Sequence, residues 1–141
     1  MLKIFKTHRL VKSEDLNHHG TLFAGRCAEW FVEAGFIAAS SLINPKNIVC
    51  FKIHGFVLNA PVKAGQTICY ESKAVHAGKT SLVTSVKLTN LSTNAEIISD
   101  GFITFVNVNE NSQPAPHGVE LKFETEEEIR LHNLAMDLKH K

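Results

Sequence analysis

Between Asp15 and Gly35 a polar, glycine-punctuated loop runs into an apolar helix that carries two acids. Asn17, His18, His19, Gly20 and Thr21 make the loop, and small residues, Ala24 and Gly25, open the helix. The first backbone N–H groups of a helix have no intrahelical acceptor and lie at the positive end of its dipole. With no bulky side chains over them they are open to a ligand oxygen, which is the start of an oxyanion site. Further along the same helix Glu29 and Glu33 are candidate bases or nucleophiles for whatever that oxygen belongs to.

The elements around this helix decide what it can hold. From about Gly25 the residues Cys27, Phe31, Ala34, Gly35, Ala38 and Leu42 recur at steps of three and four, and Ala28, Val32 and Ala39 widen the stripe. So broad an apolar face needs a sheet to cover it. The helix must stop before Asn44 and Pro45, because the residue preceding a proline avoids helical angles. Residues 4–11 read as an opening strand. After Pro45 the period changes to two, with Val49, Phe51, Ile53 and Val57 alternating with Lys52 and His54. Further alternating runs follow at 66–77, 82–91 and 97–108, with joints at 77–79 and 90–95. Those joints are too short for crossover helices, so the sheet is antiparallel. Thr125 and Glu128 have capping-box spacing ahead of Leu131, Leu134, Ala135 and Leu138, which predicts an amphipathic last helix over about 125–140, with His132 and His140 on or near it. The whole reads as one α+β domain, residues 1–141, whose sheet wraps a single long helix.

At 141 residues and 44% hydrophobic the chain can bury roughly two thirds of its unfolded surface. A net charge of +1 provides no long-range field to gather nucleic acid or membrane, so any phosphate contact is local. The first residues lack the apolar run of a signal peptide, and no segment reaches the ~20 uncharged residues of a membrane span, which predicts a cytoplasmic protein. Cys27, Cys50 and Cys69 lack metal spacing and cannot all pair with one another, as expected of reduced, buried thiols. No metal-ligand cluster appears, and no dinucleotide or Walker glycine pattern.

The residues go further than the periodicity. Asp15, Leu16 and Asn17, then Gly20 to Gly25, then Glu29 to Ala34 resemble the hot-dog-fold acyl-CoA thioesterases of cytoplasmic type. Downstream, Phe56 to Gly65, Gly78 to Leu82 and Phe102 to Val106 are similar to that family's later strand motifs, in the same order, and the likeness spans about residues 5 to 117. The resemblance implies a hot-dog fold with an extra C-terminal helix, and hydrolysis of a coenzyme A thioester at a dimer interface. It puts the family's loop asparagine on Asn17, which places substrate or water. The helix-opening N–H that polarises the thioester carbonyl falls on Ala24 or Gly25. No cofactor is implied, since coenzyme A belongs to the substrate.

One position departs from the family. An ungapped alignment through Gly20, Thr21 and Leu22 puts the family's catalytic acid on Val32, which can be neither base nor nucleophile. Glu33 lies roughly 100° from Val32 around the helix and Glu29 roughly 60° away but almost a turn nearer the start, so geometry alone does not choose. Glu33 has apolar neighbours in sequence, where desolvation would raise its pKa toward that of a useful base. Glu29 pairs at i, i+3 with Arg26 as a solvated ion pair. Arg26, Glu29, Glu33 and Ser40 also fit one solvent-facing stripe. The resemblance tips the reading to Glu33, with Glu29 the alternative acid.

For the coenzyme A phosphates, Gly78, Lys79, Thr80 and Ser81 offer a turn, a cation and two hydroxyls, and the resemblance sets this strand beside the cofactor moiety. Lys79 is the leading phosphate contact and Arg26 the second. Phe23, Trp30, Phe31 and Phe36 fit either an acyl tunnel or the core. The resemblance implies a homo-oligomer built on a dimer, with tetramer and hexamer open. Two other readings keep the fold: an acyl-thioester hydratase or dehydratase, for which His54 is the candidate histidine, and a non-catalytic acyl-CoA sensor, suggested by Val32.

Overall fold

The apolar stripe of the long helix finds its cover in a single five-stranded antiparallel sheet. In the computed structural model, which describes residues 1–138, the elements are β1 (Phe5–Leu10), α1 (Ala24–Ser40), β2 (Ile48–His54), β3 (Thr67–Ala77), β4 (Ser81–Asn90), β5 (Glu96–Asn107) and α2 (Glu126–Leu138). Strand order is β1-β3-β4-β5-β2. Phe5 faces Ser72, Ile68 faces Asn90, Ser81 faces Val106 and Ile48 faces Asn107. The antiparallel α+β expectation and both helices are borne out, while the predicted tail of the last helix, with His140, lies outside the described residues.

Two glycines set how closely α1 approaches the sheet. A Cβ on Gly35 would stand 2.7 Å from Ile103 Cδ1 and 2.8 Å from Thr84 Oγ1, and one on Gly101 would stand 2.6 Å from the Phe31 ring. With hydrogen alone at both positions, Cys27, Phe31 and Ala34 pack in one buried cluster with Tyr70, Leu82, Val86, Ile103 and Phe105. Burying one such aromatic or aliphatic side chain contributes about 1.5–3 kcal/mol. Of the four aromatic candidates for an acyl tunnel, Trp30 and Phe31 are core residues, Phe36 packs edge-on against Phe105, and Phe23 is exposed.

The second strand departs from simple alternation. A bulge between Cys50 and Lys52 puts Phe51 out of register, and it is 72% exposed on an edge strand, with Val49 and Ile53 also at the surface. Both faces of β2 are largely uncovered in a single chain, so the period-two pattern that predicts an inner face here has nothing to pack against. Cys50 is likewise exposed rather than buried, for the same reason, whereas Cys27 and Cys69 are buried.

Helix α2 covers the opposite face of the sheet, where Leu131 and Ala135 meet Val75, Val83 and Phe102. Its start is fastened by Glu128. Thr125 Oγ1 accepts the Glu128 N–H at 3.1 Å and Glu128 Oε1 accepts the Thr125 N–H at 3.3 Å, the predicted box. The same carboxylate accepts N–H bonds from Glu124 at 2.7 Å and from Leu2 at 2.8 Å, tying the start of the chain to the last helix. These donors, Glu124 foremost, hold the Glu128 carboxyl below its ordinary value of 4.5. A carboxyl whose pKa is lowered by folding contributes stability above the unfolded value and loses it as pH falls through the folded value. Glu128→Gln is therefore expected to lower Tm at pH 7, and the gap between variant and parent to shrink at pH 3. A gap of equal size at both pH values would show that the charge is not what fastens α2.

Candidate active site

The loop ahead of α1 is a miniature hairpin. The Phe23 N–H donates to the Asp15 carbonyl at 2.9 Å, Leu16 bridges Leu22, and the Asn17 N–H donates to the Thr21 carbonyl at 2.7 Å. Exposed His18 and His19 stack at the tip with ring centroids 3.9 Å apart, and Gly20 turns the chain with φ 79°, a left-handed angle that favours glycine. The Asn17 carboxamide locks this turn: Oδ1 accepts N–H bonds from His19 at 2.9 Å and Thr21 at 3.2 Å, and Nδ2 donates to Thr21 Oγ1 at 3.1 Å. A carboxamide nitrogen carries two hydrogens, so one donor is left for a ligand. The hairpin docks on the segment after β2, through Leu22 N–H to the Val62 carbonyl at 2.8 Å and a bridge from Thr21 to Lys63.

Helix α1 begins where the hairpin ends. Its first hydrogen bond runs from Cys27 N–H to the Phe23 carbonyl at 3.0 Å, and Phe23, at the N-cap, supplies no side-chain cap. The N–H groups of Ala24, Gly25 and Arg26 thus precede the ladder, where the helix dipole is positive. Beside them opens a cleft of about 250 Å³ lined by Asn17, Thr21, Ala24 and Cys27 on one wall and Leu58, Asn59 and Ile97 on the other. Asn59 is anchored there by its N–H to the Ile97 carbonyl at 3.1 Å. Sequence reasoning did not single out Thr21, Cys27 or Asn59 as lining residues, because their convergence depends on the chain after β2 folding back over the helix start.

Cys27 is the only sulfur among the residues lining this cleft, and it is not poised to react. Burial pushes its thiol up from 9.0, outweighing the Tyr70 hydroxyl that donates to its sulfur at 3.2 Å. The buried Tyr70 hydroxyl also reaches the Cys27 carbonyl at 3.1 Å, and its own pKa is driven far upward by desolvation.

No acid is among the residues that line the cleft. Glu33 points away toward β1, where its Oε1 accepts from Arg9 at 3.0 Å, and the Arg9 guanidinium lies 5.2 Å over the Trp30 ring. Its side chain is 48% exposed, so the burial expected from its apolar neighbours in sequence is not found. Those neighbours turn to the core while Glu33 stands on the outer face of α1. Glu29 is 59% exposed and 3.9 Å from Arg26, as the i, i+3 spacing predicts. Val32, roughly 60° from Glu29 on the side away from Glu33 and turned further toward the core than either, is half-buried.

Arg26 is drawn inward, with Nε 3.3 Å from Oδ1 of the buried Asp15. Lys79 and Thr80 lie in the turn between β3 and β4, which Ser81 closes as the first residue of β4, and the turn is held by His117 and Asn107, which donate N–H bonds to the Lys79 and Thr80 carbonyls at 3.3 and 2.8 Å. The 11-residue β3 runs from the hairpin end of the sheet to this turn, a separation of roughly 30 Å. One chain therefore does not bring Lys79 to its own hairpin. His54, the candidate for hydratase chemistry, bonds Thr104 Oγ1 at 2.7 Å and stands opposite Phe102, on the α2 face of the sheet and away from the cleft.

Comparison with known proteins agrees with the fold. The model of the thioesterase superfamily matches residues 19–96, which include the hairpin tip, all of α1 and the segment after β2. An uncharacterized acyl-CoA thioester hydrolase of Bacillus subtilis (strain 168), YkhA, is 28% identical over 137 residues, covering 95% of this chain and 78% of that protein. Among solved structures, an apo-hexameric acyl-CoA thioesterase is 28% identical with a TM-score of 0.81, covering 97% of this chain and 88% of its own. The acyl-CoA hydrolase from Bacillus cereus is 26% identical with a TM-score of 0.84, covering 97% and 84%.

The raised thiol of Cys27 has a direct readout. Alkylation of the native protein near pH 7, followed by peptide mass mapping, is expected to leave Cys27 unmodified until denaturant is added. Rapid native labelling of Cys27 would mean a reactive thiolate at the mouth of the helix.

Proposed function

The chain belongs to the thioesterase superfamily, and we propose that it hydrolyses acyl-coenzyme A thioesters to the free acid and coenzyme A, using the junction of the hairpin with α1. The observation that carries this reading is the cleft lined by both Asn17, with its spare donor, and Ala24 at the uncapped start of α1, where the Gly25 N–H follows with the Phe23 ring packed beside it. A thioester carbonyl oxygen there accepts the helix N–H bonds, which strengthen as it becomes an oxyanion. Asn17 orients the carbonyl or the attacking water. Glu33 removes a proton from that water, which adds to the carbonyl carbon. Collapse of the tetrahedral intermediate breaks the C–S bond, and the proton passes to the departing sulfur. Direct attack by the carboxylate, through an acyl anhydride, requires the same residue. No metal ion is needed for either route.

In favour of Glu33 is its fixed geometry, since Arg9 both stacks on Trp30 and donates to it. Because it faces away from its own cleft, we assign the complete site to more than one protomer. The exposed edge of β2, with Val49, Phe51 and Ile53 uncovered, is the natural seam for a dimer with a continuous sheet, and a hexamer is the assembly named for one similar thioesterase. In such an assembly Lys79, with Thr80 and Ser81, reaches the phosphates of a coenzyme A bound at another protomer's hairpin. Glu29 is the alternative acid, favoured by its contact with Arg26 beside the helix start. None of the helices described is long and apolar enough to cross a membrane. We place the protein in the cytoplasm, where unpaired cysteines are kept reduced.

Thiol release from a panel of short, medium, long and aromatic acyl-CoAs tests the reaction, with turnover of at least one expected in the presence of a chelator. In that assay Glu33→Gln is expected to lower kcat by on the order of 10² or more with unchanged circular dichroism, Glu29→Gln by much less, and Asn17→Ala by an intermediate factor. A silent Glu33→Gln beside an inactive Glu29→Gln would move the acid one turn toward the helix start. Lys79→Ala is expected to raise KM at nearly constant kcat, because a phosphate contact is shared by ground and transition states. Equal KM at low salt would make Lys79 an ordinary solvated turn residue.

A further inference from the structure

We propose that Asp15, a residue outside the cleft, is the positioning residue that holds Asn17 and the helix N–H groups in one rigid frame; the inference rests on the thioesterase reading of that cleft. The Asp15 side chain is 5% exposed. A carboxylate so far from water is costly unless its oxygens are bonded, and here both are engaged. Oδ2 accepts the Lys12 N–H at 2.9 Å, and Oδ1 meets Arg26 Nε at 3.3 Å. The Asp15 carbonyl accepts the Phe23 N–H at 2.9 Å, and its own N–H returns to the Lys12 carbonyl at 2.9 Å. One residue thus closes the turn after β1, forms the base of the hairpin that carries Asn17, and clamps the first turn of α1.

The charge has a task that a neutral residue could not perform. Arg26 lies in the first turn of α1, where the positive end of the dipole disfavours a cation. Asp15 neutralises it and draws the guanidinium inward, with Glu29 3.9 Å from its other end. The field at the free N–H groups then serves the substrate oxygen, and the side chain of Arg26 is kept off the cleft. This also changes the expectation for Arg26, whose Nε is committed to the protein rather than to a phosphate.

The test is a double-mutant cycle on kcat and KM. Asp15→Asn keeps the shape and the Lys12 contact but loses the attraction for Arg26. It is expected to lower kcat about tenfold or more while KM stays within about twofold, as for lost orientation rather than lost binding. In the Asn17→Ala background the same change is expected to cost several-fold less than in the parent, because of the two things the frame holds only the helix N–H groups remain. Arg26→Gln, on a half-exposed residue that folding tolerates, is expected to lower kcat with KM little changed, and it supplies the same cycle with Asn17→Ala should Asp15→Asn not fold. Losses that multiply in the double variants, or a rise in KM alone, overturn the proposal and leave Asp15 a fold element or Arg26 a phosphate ligand. Parental kcat in Asn17→Ala would instead refute the reading of the cleft itself, and Asp15 with it.

Discussion

Helix α1 cannot exist without the sheet. Its stripe of Cys27, Phe31, Ala34 and Ala38 is stable only when dry, and the sheet can dry it only by coming close. Gly35 and Gly101 permit that approach, since a methyl group at either would meet a neighbour well inside van der Waals contact. Interiors are packed densely enough that such a distance is not adjustable, so the helix is fixed in height and direction across β3, β4 and β5.

A helix fixed in this way has ends with fixed addresses. Its start lies by the opening of β3, beside the segment after β2, and its free N–H groups can face only the space between them. The hairpin at 15–23 fills the gap between the end of β1 and the helix, with paired backbone bonds at 15/23 and 17/21. Loops of this kind carry function because a rigid scaffold holds them. Here three layers of restraint, the Asn17 side chain, the Asp15 carboxylate and the docking of Leu22 on Val62, make a loop as well determined as a strand.

The charged face of α1 follows a different logic. Its inner side is spent on packing, so Arg26, Glu29 and Glu33 are left outside, paired with Asp15, Arg26 and Arg9. A cleft rich in donors and lacking a carboxylate, on a chain with an uncovered apolar edge, is what the proposal of a site shared between protomers rests on. On the proposed reading the acid and the phosphate contact come from another protomer, which would couple chemistry to assembly. Val32, where the resembling family has its acid, lies in that same outer region and is no substitute.

Periodicity alone determined the helix, the three long strands β3, β4 and β5 and their antiparallel pairing, because periods of 3.6 and 2 are local properties of the backbone that burial merely selects. It also determined the capping box at Thr125 and Glu128 and the Arg26–Glu29 pair, both set by helical spacing. The loop motif pointed to the proposed reacting region for the same reason: a turn and a helix start are short-range features. Burial at a given angle was not local. Glu33 has apolar neighbours in sequence yet stands in water, since adjacent helical residues point about 100° apart. The edge position of β2 exposed Phe51 and Cys50, the length of β3 carried Lys79 away from the hairpin, and the fold-back after β2 brought Asn59 to Cys27. Each depends on which strand lies next to which, a relation between residues far apart in the chain that only tertiary structure decides.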